Sequence, residues 1–317
     1  MGNNKNVNNK KSIRIATINC RSIINKLDMI KQWIVDNNLD IINIQETWIN
    51  KNNVKYINFP GFESFQTTPS NRKGCGLITL VKNSLKHSII QIKDLDKDLE
   101  IISLRIQNII ISNIYIHPTS TETGLKQLKM VYPKEGTQIL TGDFNAHHKN
   151  WSQGKNNARG KALKKWFRAK KLTTINKKEN MTHFNAKTKI GNSPDICAIS
   201  ENILHKLVKY EIGEDIGSDH LPIIIEINLN AKKRKNRLKP HWIYNKCDPE
   251  KYEDELKRCV NDVDTIKDYN NILLEVANKT CPKTKIKQGL RGNPWWNENC
   301  RKEVKKKNKT TQIDAEK

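Results

Sequence analysis

Apolar and polar residues alternate in short runs through most of the first 230 residues, and this period of two is typical of β-strands. Ile41–Gln45 is instead mostly apolar, as in a strand buried on both faces. The pattern predicts these strands: Ser12–Asn19, Ile41–Gln45, Gly74–Val81, Ser88–Ile92, Leu99–Ile106, Ile109–Ile116, Thr137–Thr141, Thr182–Phe184, Asp195–Ser200, Lys206–Ile212 and Pro222–Leu229.

Helical spacing is confined to a few segments between these strands. Leu27–Val35 and Gly160–Lys171 carry apolar residues three or four positions apart, and Ser120–Tyr132 reads as helical or irregular. Strands therefore dominate and most connections are short. The class expected is α+β, with two packed, mostly antiparallel sheets and helices outside them.

The composition changes near residue 230. Lys232–Lys235 is a run of basic residues, and Pro249–Cys281 then shows helical periodicity without strand runs. Residues 1–11 are a polar leader rich in Asn and Lys, expected to be disordered. The division predicted is a leader at 1–11, a domain at 12–230 and a basic helical tail at 231–317.

Charge narrows the class of partner. The chain has 57 Lys and Arg against 33 Asp and Glu, a net charge of +24, and the excess is densest after residue 230. Such a field attracts polyanions, among which nucleic acid is the commonest inside cells. An alternative is that the lysines serve solubility or reflect an AT-rich genome. No apolar run approaches the roughly 18 residues of a membrane span, so no membrane partner is expected.

The seven cysteines are widely spaced and form no C-x-x-C pair, which indicates neither a disulfide framework nor a zinc module. We expect reduced thiols and an intracellular protein. Cys20 and Cys197 are expected in the core.

Acidic residues and a histidine stand next to strand runs at three points. Glu46 directly follows the run Ile41–Gln45. Asp143 and Asn145 come shortly after the run Thr137–Thr141, and His220 shortly precedes Pro222–Leu229. Hydrolysis of a phosphodiester needs a cation to neutralise the phosphate, a base to activate water and help for the leaving oxygen. Glu46 suits Mg²⁺, which prefers carboxylate oxygens. Asp143 and Asn145, two apart, face the same way on extended backbone.

Ser218-Asp219-His220 adds a second acid and a titratable donor. A catalytic histidine needs an acidic partner to fix its tautomer, and Asp195, which opens a strand, is the candidate. Taken singly, each of these residues also has an ordinary explanation as a loop acid, a turn or a structural histidine.

These phrases, in this order, resemble the endonuclease/exonuclease/phosphatase superfamily, and within it the apurinic-like endonucleases of non-LTR (LINE-type) retrotransposons. The resemblance spans residues 12–230 and rests on Thr17-Ile18-Asn19-Cys20-Arg21-Ser22, Gln45-Glu46-Thr47-Trp48, Asn113-Ile114-Tyr115, Gly142-Asp143-Phe144-Asn145-Ala146-His147-His148 and Ser218-Asp219-His220-Leu221-Pro222. It implies a DNase I-like four-layer α/β sandwich.

The resemblance also implies roles at the cation and the phosphate. Asn19 and Glu46 would lie at the metal, with Asp219 reaching the same region, and Tyr115 would contact the phosphate. The cation implied is Mg²⁺, with Mn²⁺ as a substitute. Arg21 departs from the family pattern, because many members carry an acidic residue or Asn at that position.

The remaining roles concern the chemical step and the substrate. Asp143 would be the water-activating base and Asn145 its orienting partner, while Asp195 would orient His220, which would stabilise the transition state. The residues assigned to substrate binding are Thr182, Arg21 and Ser218.

The resemblance predicts a Mg²⁺-dependent endonuclease that nicks DNA to prime reverse transcription, acting in the nucleus. The tail around Asn293–Asn297 resembles the connector that precedes a reverse transcriptase, and element RNA is a second candidate partner for it. The alternatives are an abasic-site repair endonuclease and an inactive nucleic-acid-binding relic. A phosphoinositide or sphingomyelin phosphodiesterase is disfavoured by the charge.

Overall fold

The computed structural model describes residues 10–67, 74–95, 98–120, 123–133, 136–153, 155–185, 190–231, 242–260, 265–283, 292–293, 295–300 and 302–303. The helices and strands are β1 (Lys10–Asn19), α1 (Leu27–Asp36), β2 (Ile41–Gln45), β3 (Phe62–Gln66), β4 (Ile78–Lys82), β5 (Ser88–Leu95), β6 (Leu99–Ile106), β7 (Ile109–Ile116), α2 (Thr123–Val131), β8 (Thr137–Asp143), α3 (Ala158–Ala169), β9 (Leu172–Thr174), β10 (His183–Asn185), β11 (Ile190–Asn192), β12 (Asp195–Ser200), β13 (Leu207–Ile212), β14 (Ile223–Ala231), α4 (Pro249–Cys259) and α5 (Ile266–Thr280).

Two six-stranded sheets form the main body. The first has the order β13-β14-β1-β2-β4-β3 and the second β5-β6-β7-β8-β12-β9, while β10 and β11 form a separate hairpin. Within the two sheets β1 pairs in parallel with β2 and β7 with β8, and the other pairs are antiparallel. The predicted α+β class, with two mostly antiparallel sheets flanked by helices, is confirmed.

The alternation seen in the sequence sorts side chains between two faces of each sheet. Inward residues of both sheets, such as Ile15 of β1 and Ile111 of β7, share one buried cluster between the sheets. Outward residues of the first sheet pack with Trp33 of α1, and those of the second with Phe167 of α3. The layers are therefore helix, sheet, sheet and helix, as the four-layer prediction requires.

A buried polar layer follows the apolar one along the space between the sheets. Asn43 donates to Thr141 Oγ1 across the two sheets at 2.7 Å, and Gln45 donates to Asn113 Oδ1 at 2.6 Å. Asn113 in turn donates to the backbone oxygen of Ile78 at 3.0 Å. Buried amides cost free energy unless they are hydrogen-bonded, so this layer fixes the register of one sheet on the other.

Several elements differ from those predicted. β1 begins at Lys10, within the predicted leader, whose residues 1–9 lie outside the described part of the chain. The short strands β3, β9 and β11 were not predicted. Three of five residues in β3 are polar or charged, and β9 and β11 span three residues each, too few to show a period.

The cysteines give one confirmation and one correction. Cys20 and Cys197 are fully buried, as expected. The expectation that all seven thiols are reduced is wrong for Cys247 and Cys281, which form a disulfide. Sequence spacing could not reveal it, because the two residues meet only through the packing of α5 beside the segment that precedes α4.

The chain divides into two compact units, Met1–Arg234 with Gly289–Lys317, and Lys235–Gln288. The second unit contains α4 and α5, whose first turns are capped by Asp248 and Thr265. The predicted basic linker at Lys232–Lys235 lies outside the described residues. Among those described, no helix is long and apolar enough to cross a membrane.

Part of the predicted connector belongs to the first unit and contacts α1 there. The backbone N–H of Asn293 donates to Gln32 Oε1 at 2.8 Å, and its side chain donates to the backbone oxygen of Asp28 at 3.0 Å. Trp296 lines a groove beside α1 together with residues of the 211–216 segment. Asn293 and Trp296 therefore lie beside α1, and the domain division drawn from the sequence stays a prediction.

Candidate active site

Ionisable and amide side chains from both sheets meet where four inner strands end. Asn19 ends β1, Glu46 follows β2, Tyr115 lies near the end of β7 and Asp143 ends β8. The Asn19 amide donates to Glu46 Oε1 at 2.9 Å and to Asp143 Oδ2 at 3.0 Å, and Tyr115 donates its hydroxyl to Glu46 Oε1 at 2.9 Å. One hydrogen-bonded group therefore bridges the two sheets.

A second hydrogen-bonded group adjoins the first. Asp195 pairs in register with Asp143 on the neighbouring strand. Its Oδ2 lies 2.8 Å from His220 Nδ1 and accepts a 2.6 Å hydrogen bond from the Thr182 hydroxyl. One atom able to bind a metal from each of Asp143, Asp195 and His220, a carboxylate oxygen or a ring nitrogen, lies within 4.8 Å of the other two. The predicted pairing of Asp195 with His220 is present in the structure.

Unusual backbone conformations hold two of these side chains. Glu46 has φ of 50° and Asn145 has φ of 46°, values that L-residues adopt rarely. Gly142, with φ of 138°, precedes Asp143, and a Cβ there would collide with the backbone of Ile114. Only glycine therefore lets β8 approach β7 closely enough to place Asp143 beside Tyr115.

Asn145 contacts Asp143 through the backbone. Its N–H donates to Asp143 Oδ1 at 2.8 Å, and its side-chain amide donates to the backbone oxygen of Ile116 at 3.0 Å. Asp143 therefore accepts hydrogen bonds on both oxygens, from Asn145 and from Asn19.

The other sequence-predicted residues lie at the rim. Arg21 pairs with Asp219 at 2.6 Å, and the Ser218 hydroxyl donates to the backbone oxygen of Asn19 at 2.7 Å. Asp219 Oδ2 is thus held by Arg21, the residue that departs from the family pattern. Arg21 has 59% of its side chain exposed, which leaves it facing solvent beside the site.

Burial and neighbouring charges raise the pKa values of Asp143 and His220, the two groups assigned to the chemical step. Burial, and after it the nearby Asp195 carboxylate, raises the pKa of Asp143 to about 7. Burial alone would lower the pKa of His220, but Asp195 outweighs it and raises that pKa to about 9. At neutral pH His220 is therefore a cation and Asp143 is close to its titration midpoint.

The flanking groups are also perturbed. Burial and the charge of Glu46 raise the pKa of Tyr115, which keeps its phenol protonated. Burial and the positive His220 lower the pKa of His183, whose ring centroid lies 4.5 Å from that of His220. Burial opposes ionisation of Asp219, but His220 and Arg21 lower its pKa below the ordinary value.

Three residues that the sequence analysis did not single out position this site. Arg159 of α3 donates to the backbone oxygens of Phe144 at 3.2 Å and Asn145 at 3.1 Å. Asn176 donates to the backbone oxygen of Asp195 at 2.9 Å, and the His183 ring contacts the His220 ring at an angle of 54°. His183 follows Thr182 directly, so its place in a strand beside the site was a usable signal. The contacts of Arg159 and Asn176 depend on tertiary packing alone.

The fold and this site are similar to those of a known class of phosphodiesterases. Residues 109–224 match the protein family described as Endonuclease-reverse transcriptase. The match agrees with the resemblance noted in the sequence, to the endonuclease/exonuclease/phosphatase superfamily and to its non-LTR retrotransposon endonucleases. No curated protein sequence matches this chain.

Solved structures share the fold. The endonuclease domain of TRAS1, a telomere-specific non-LTR retrotransposon, is similar with 21% identity and a TM-score of 0.55, over 69% of this chain and 99% of that one. The catalytic domain of APE2 from Xenopus laevis has 16% identity and a TM-score of 0.57, over 71% and 94%. The AP endonuclease LMAP from Leishmania major has 12% identity and a TM-score of 0.56, over 69% and 88%.

Proposed function

We propose that this chain is a divalent-cation-dependent DNA endonuclease that nicks one strand to prime reverse transcription of a non-LTR retrotransposon. The observation that carries the proposal is the hydrogen-bonded group of Asn19, Glu46, Tyr115 and Asp143, adjoined by the Asp195–His220 pair. This group offers a base, a protonated donor and carboxylates for a hard cation at one end of the space between the sheets.

The donor set fits a cation such as Mg²⁺. Tyr115 and Asn19 both donate to Oε1 of Glu46, and its Oε2 lies on the side of Gly74, where a glycine leaves space. Asp195 Oδ1 is buried, and no described residue donates to it. Glu46 would hold the cation, which when bound would neutralise the phosphate, and Mn²⁺ could take its place. In the present arrangement Asn19 presents N–H groups to both carboxylates, so it acts first as a bridge between them.

The protein's own groups supply the remaining chemistry. Asp143, held on both oxygens, would take the proton of the attacking water, with Asn145 fixing the carboxylate through its N–H. The hydroxyl of Tyr115, which stays neutral, would donate to a phosphate oxygen in place of Glu46. His220, charged and oriented by Asp195, would stabilise the negative charge that develops on the phosphate. The Thr182 hydroxyl would help to fix Asp195, because it donates to the same Oδ2 atom that contacts His220.

The rim and the tail suit a polyanionic substrate. Arg21 is exposed beside the site, and Ser218 holds the loop that carries Asp219 and His220. With the net charge of +24, these features support DNA as the substrate, element RNA as a second partner of the basic tail, and action in the nucleus.

The test is a plasmid-nicking assay on the full chain with supercoiled DNA and Mg²⁺. Asp143→Ala and His220→Ala are expected to lower the nicking rate at least about a hundredfold, the usual scale for losing a base or a transition-state donor. EDTA is expected to abolish nicking and Mn²⁺ to restore it. Full activity of both variants would contradict the proposed chemistry.

Abasic-site cleavage is the second candidate, because one of the similar structures, LMAP from Leishmania major, is described as an AP endonuclease. An abasic duplex and a matched intact duplex, compared under the same conditions, separate the two. Cleavage of the abasic duplex alone would favour a repair role, and nicking of intact DNA favours the retrotransposon role. DNA binding without cleavage of either substrate would indicate an inactive relic.

A further inference from the structure

Another set of metal-binding side chains lies beside the active site and takes no part in the chemistry described above. Cys75 comes from the turn before β4, Glu100 from β6 and His117 from the residue after the end of β7. Their ligand atoms all lie within 4.8 Å of one another, and all three residues are buried. We name this set the Cys75–Glu100–His117 cluster.

The contacts converge on a single imidazole nitrogen. His117 Nε2 lies 3.7 Å from Cys75 Sγ and 3.5 Å from Glu100 Oε1. A Cys-His-Glu proton relay would use both ring nitrogens, one for the thiol and one for the carboxylate. Both partners here meet the same nitrogen, so the arrangement is not a nucleophile with its base and orienting acid.

The separation between the His117 nitrogen and the Glu100 carboxylate is long for a hydrogen bond. An N–H···O hydrogen bond is usually below about 3.2 Å, and this contact measures 3.5 Å. The sulfur–nitrogen contact is within reach of a weak thiol hydrogen bond, and its length also fits one edge of a metal coordination shell. In a tetrahedral zinc site, bonds of about 2.3 Å to sulfur and about 2.0 Å to nitrogen place those two ligand atoms about 3.5 Å apart. The observed 3.7 Å between sulfur and nitrogen is close to that edge.

The carboxylate is already oriented by donors outside the cluster. Glu100 accepts hydrogen bonds from the backbone N–H of Gly76, at 2.9 Å to Oε1 and 3.0 Å to Oε2, and from the Thr67 hydroxyl at 2.8 Å. Metal ligands are commonly fixed in this way by a second layer of hydrogen bonds. Glu100 is fully buried, and His117 is the sole ionisable partner within ion-pair distance among the described residues. A bound cation would neutralise this carboxylate.

We propose that the Cys75–Glu100–His117 cluster binds one Zn²⁺ ion, with the fourth position left to water. Thiolate and imidazole donors favour zinc, whereas the oxygen donors around Glu46 favour Mg²⁺, so the two sites select different ions. Binding releases the thiol proton of Cys75 to solvent as the sulfur–zinc bond forms.

A zinc ion there would fasten the turn at Gly74–Gly76 to the ends of β6 and β7. The Tyr115 ring packs edge-on against the His117 ring, with centroids 4.6 Å apart, and the Tyr115 hydroxyl donates to Glu46. Tyr115 would thus contact the zinc site through His117 and the active site through Glu46. The zinc site would hold Tyr115 in place. This inference stands whether or not the chain nicks DNA.

The test is a Co²⁺ titration of the full chain, stripped of metal with the Cys247–Cys281 disulfide intact, followed by absorption spectroscopy. Co²⁺ replaces Zn²⁺ in such sites and gives a thiolate charge-transfer band and tetrahedral d–d bands. One equivalent is expected to saturate both bands, and one equivalent of Zn²⁺ is expected to abolish them. Absence of a thiolate band in the native protein would overturn the proposal, regardless of how any variant folds.

Variants assign the band to this cluster. Cys75→Ser and His117→Gln are expected to weaken Co²⁺ binding at least about tenfold, because losing a ligand costs no less than losing a residue that only supports one. Cys259→Ser and Cys300→Ser, which remove the partly exposed thiols, and Asp143→Asn, which alters the active site, are the matched controls and are expected to keep the band. Circular dichroism checks the fold of each variant. A band that survives in folded Cys75→Ser, or disappears in Cys300→Ser, would contradict the assignment.

Discussion

Asp195 uses one oxygen for two partners. Its Oδ2 accepts from the Thr182 hydroxyl and lies against His220 Nδ1, while its Oδ1 is buried with no donor among the described residues. Because Nδ1 is fixed by this contact, Nε2 is the nitrogen of His220 left to face a substrate. The role of Asp195 is therefore to set the tautomer and charge of His220 rather than to react.

Replacing that carboxylate by an amide is expected to lower the pKa of His220. In the metal-free protein the pKa of His220 is about 9, chiefly because Asp195 offsets the effect of burial. Asp195→Asn is expected to lower it by at least about one unit, since the ionic partner is lost. NMR titration of the histidine signals in EDTA measures this. Asp219→Asn is the control and is expected to have a smaller effect; equal shifts in both variants would contradict the assignment.

The same pair has a consequence for stability. The pKa of His220 is higher in the folded protein, about 9, than the ordinary 6.5, so protonation stabilises the folded state. That contribution is complete below about pH 6.5 and is lost as the pH rises through about 9. The difference in free energy of unfolding between the native chain and Asp195→Asn is therefore expected to shrink in alkaline buffer. A difference that grows with pH would exclude this linkage.

At the scale of elements, α3 fastens two loops that carry the site. Asn157 caps its first turn by accepting from the Gly160 N–H at 2.7 Å, which brings Arg159 to the ends of β7 and β8. The Arg159 guanidinium then donates to backbone oxygens of both loops, those of Phe144 and Asn145 and those of His117 and Ser120. This one side chain connects the loop of Asn145 with the loop that contains His117.

Arg159→Leu is expected to lower the nicking rate at least about tenfold with little change in the DNA concentration giving half-maximal rate, because small displacements of a catalytic loop are costly. Arg168→Leu, on the exposed side of the same helix, is the matched control. Steady-state nicking kinetics measure both constants. Equal rates in the two variants would show that Asn145 does not need this support.

The sequence was most informative about strands that cross the core. β2, β6, β7 and β12 have the predicted boundaries, because their residues are buried in uninterrupted runs. The positions of Glu46 and Asp143 were predictable for the same reason. The end of a buried run marks the edge of the sheet, where side chains can meet a substrate. The clustering of Glu100 with Cys75 was not predictable, because Cys75 lies in a turn before β4, Glu100 lies in β6, and the two meet only through tertiary packing.

At the scale of the whole molecule, the positive charge is spread along the chain and is not confined to one site. With a net charge of +24, DNA binding is expected to depend steeply on salt, because each Lys or Arg that contacts a phosphate releases counterions. With six or more such contacts, affinity is expected to fall about a thousandfold between 50 and 200 mM salt. Fluorescence anisotropy with Asp143→Ala in EDTA measures this without cleavage. An affinity independent of salt would contradict the polyanion interpretation.

The hydrogen bond from Asn19 to Asp143 joins residues of different sheets, so the reacting groups are complete only while the sheets are docked. Strand content and enzymatic rate therefore report on different levels of order. A compact state in which strands persist but the sheets slide apart, as in a molten globule, would keep its far-ultraviolet circular dichroism and lose its nicking. On heating or mild acidification, the nicking rate would then fall before the far-ultraviolet circular dichroism signal changes.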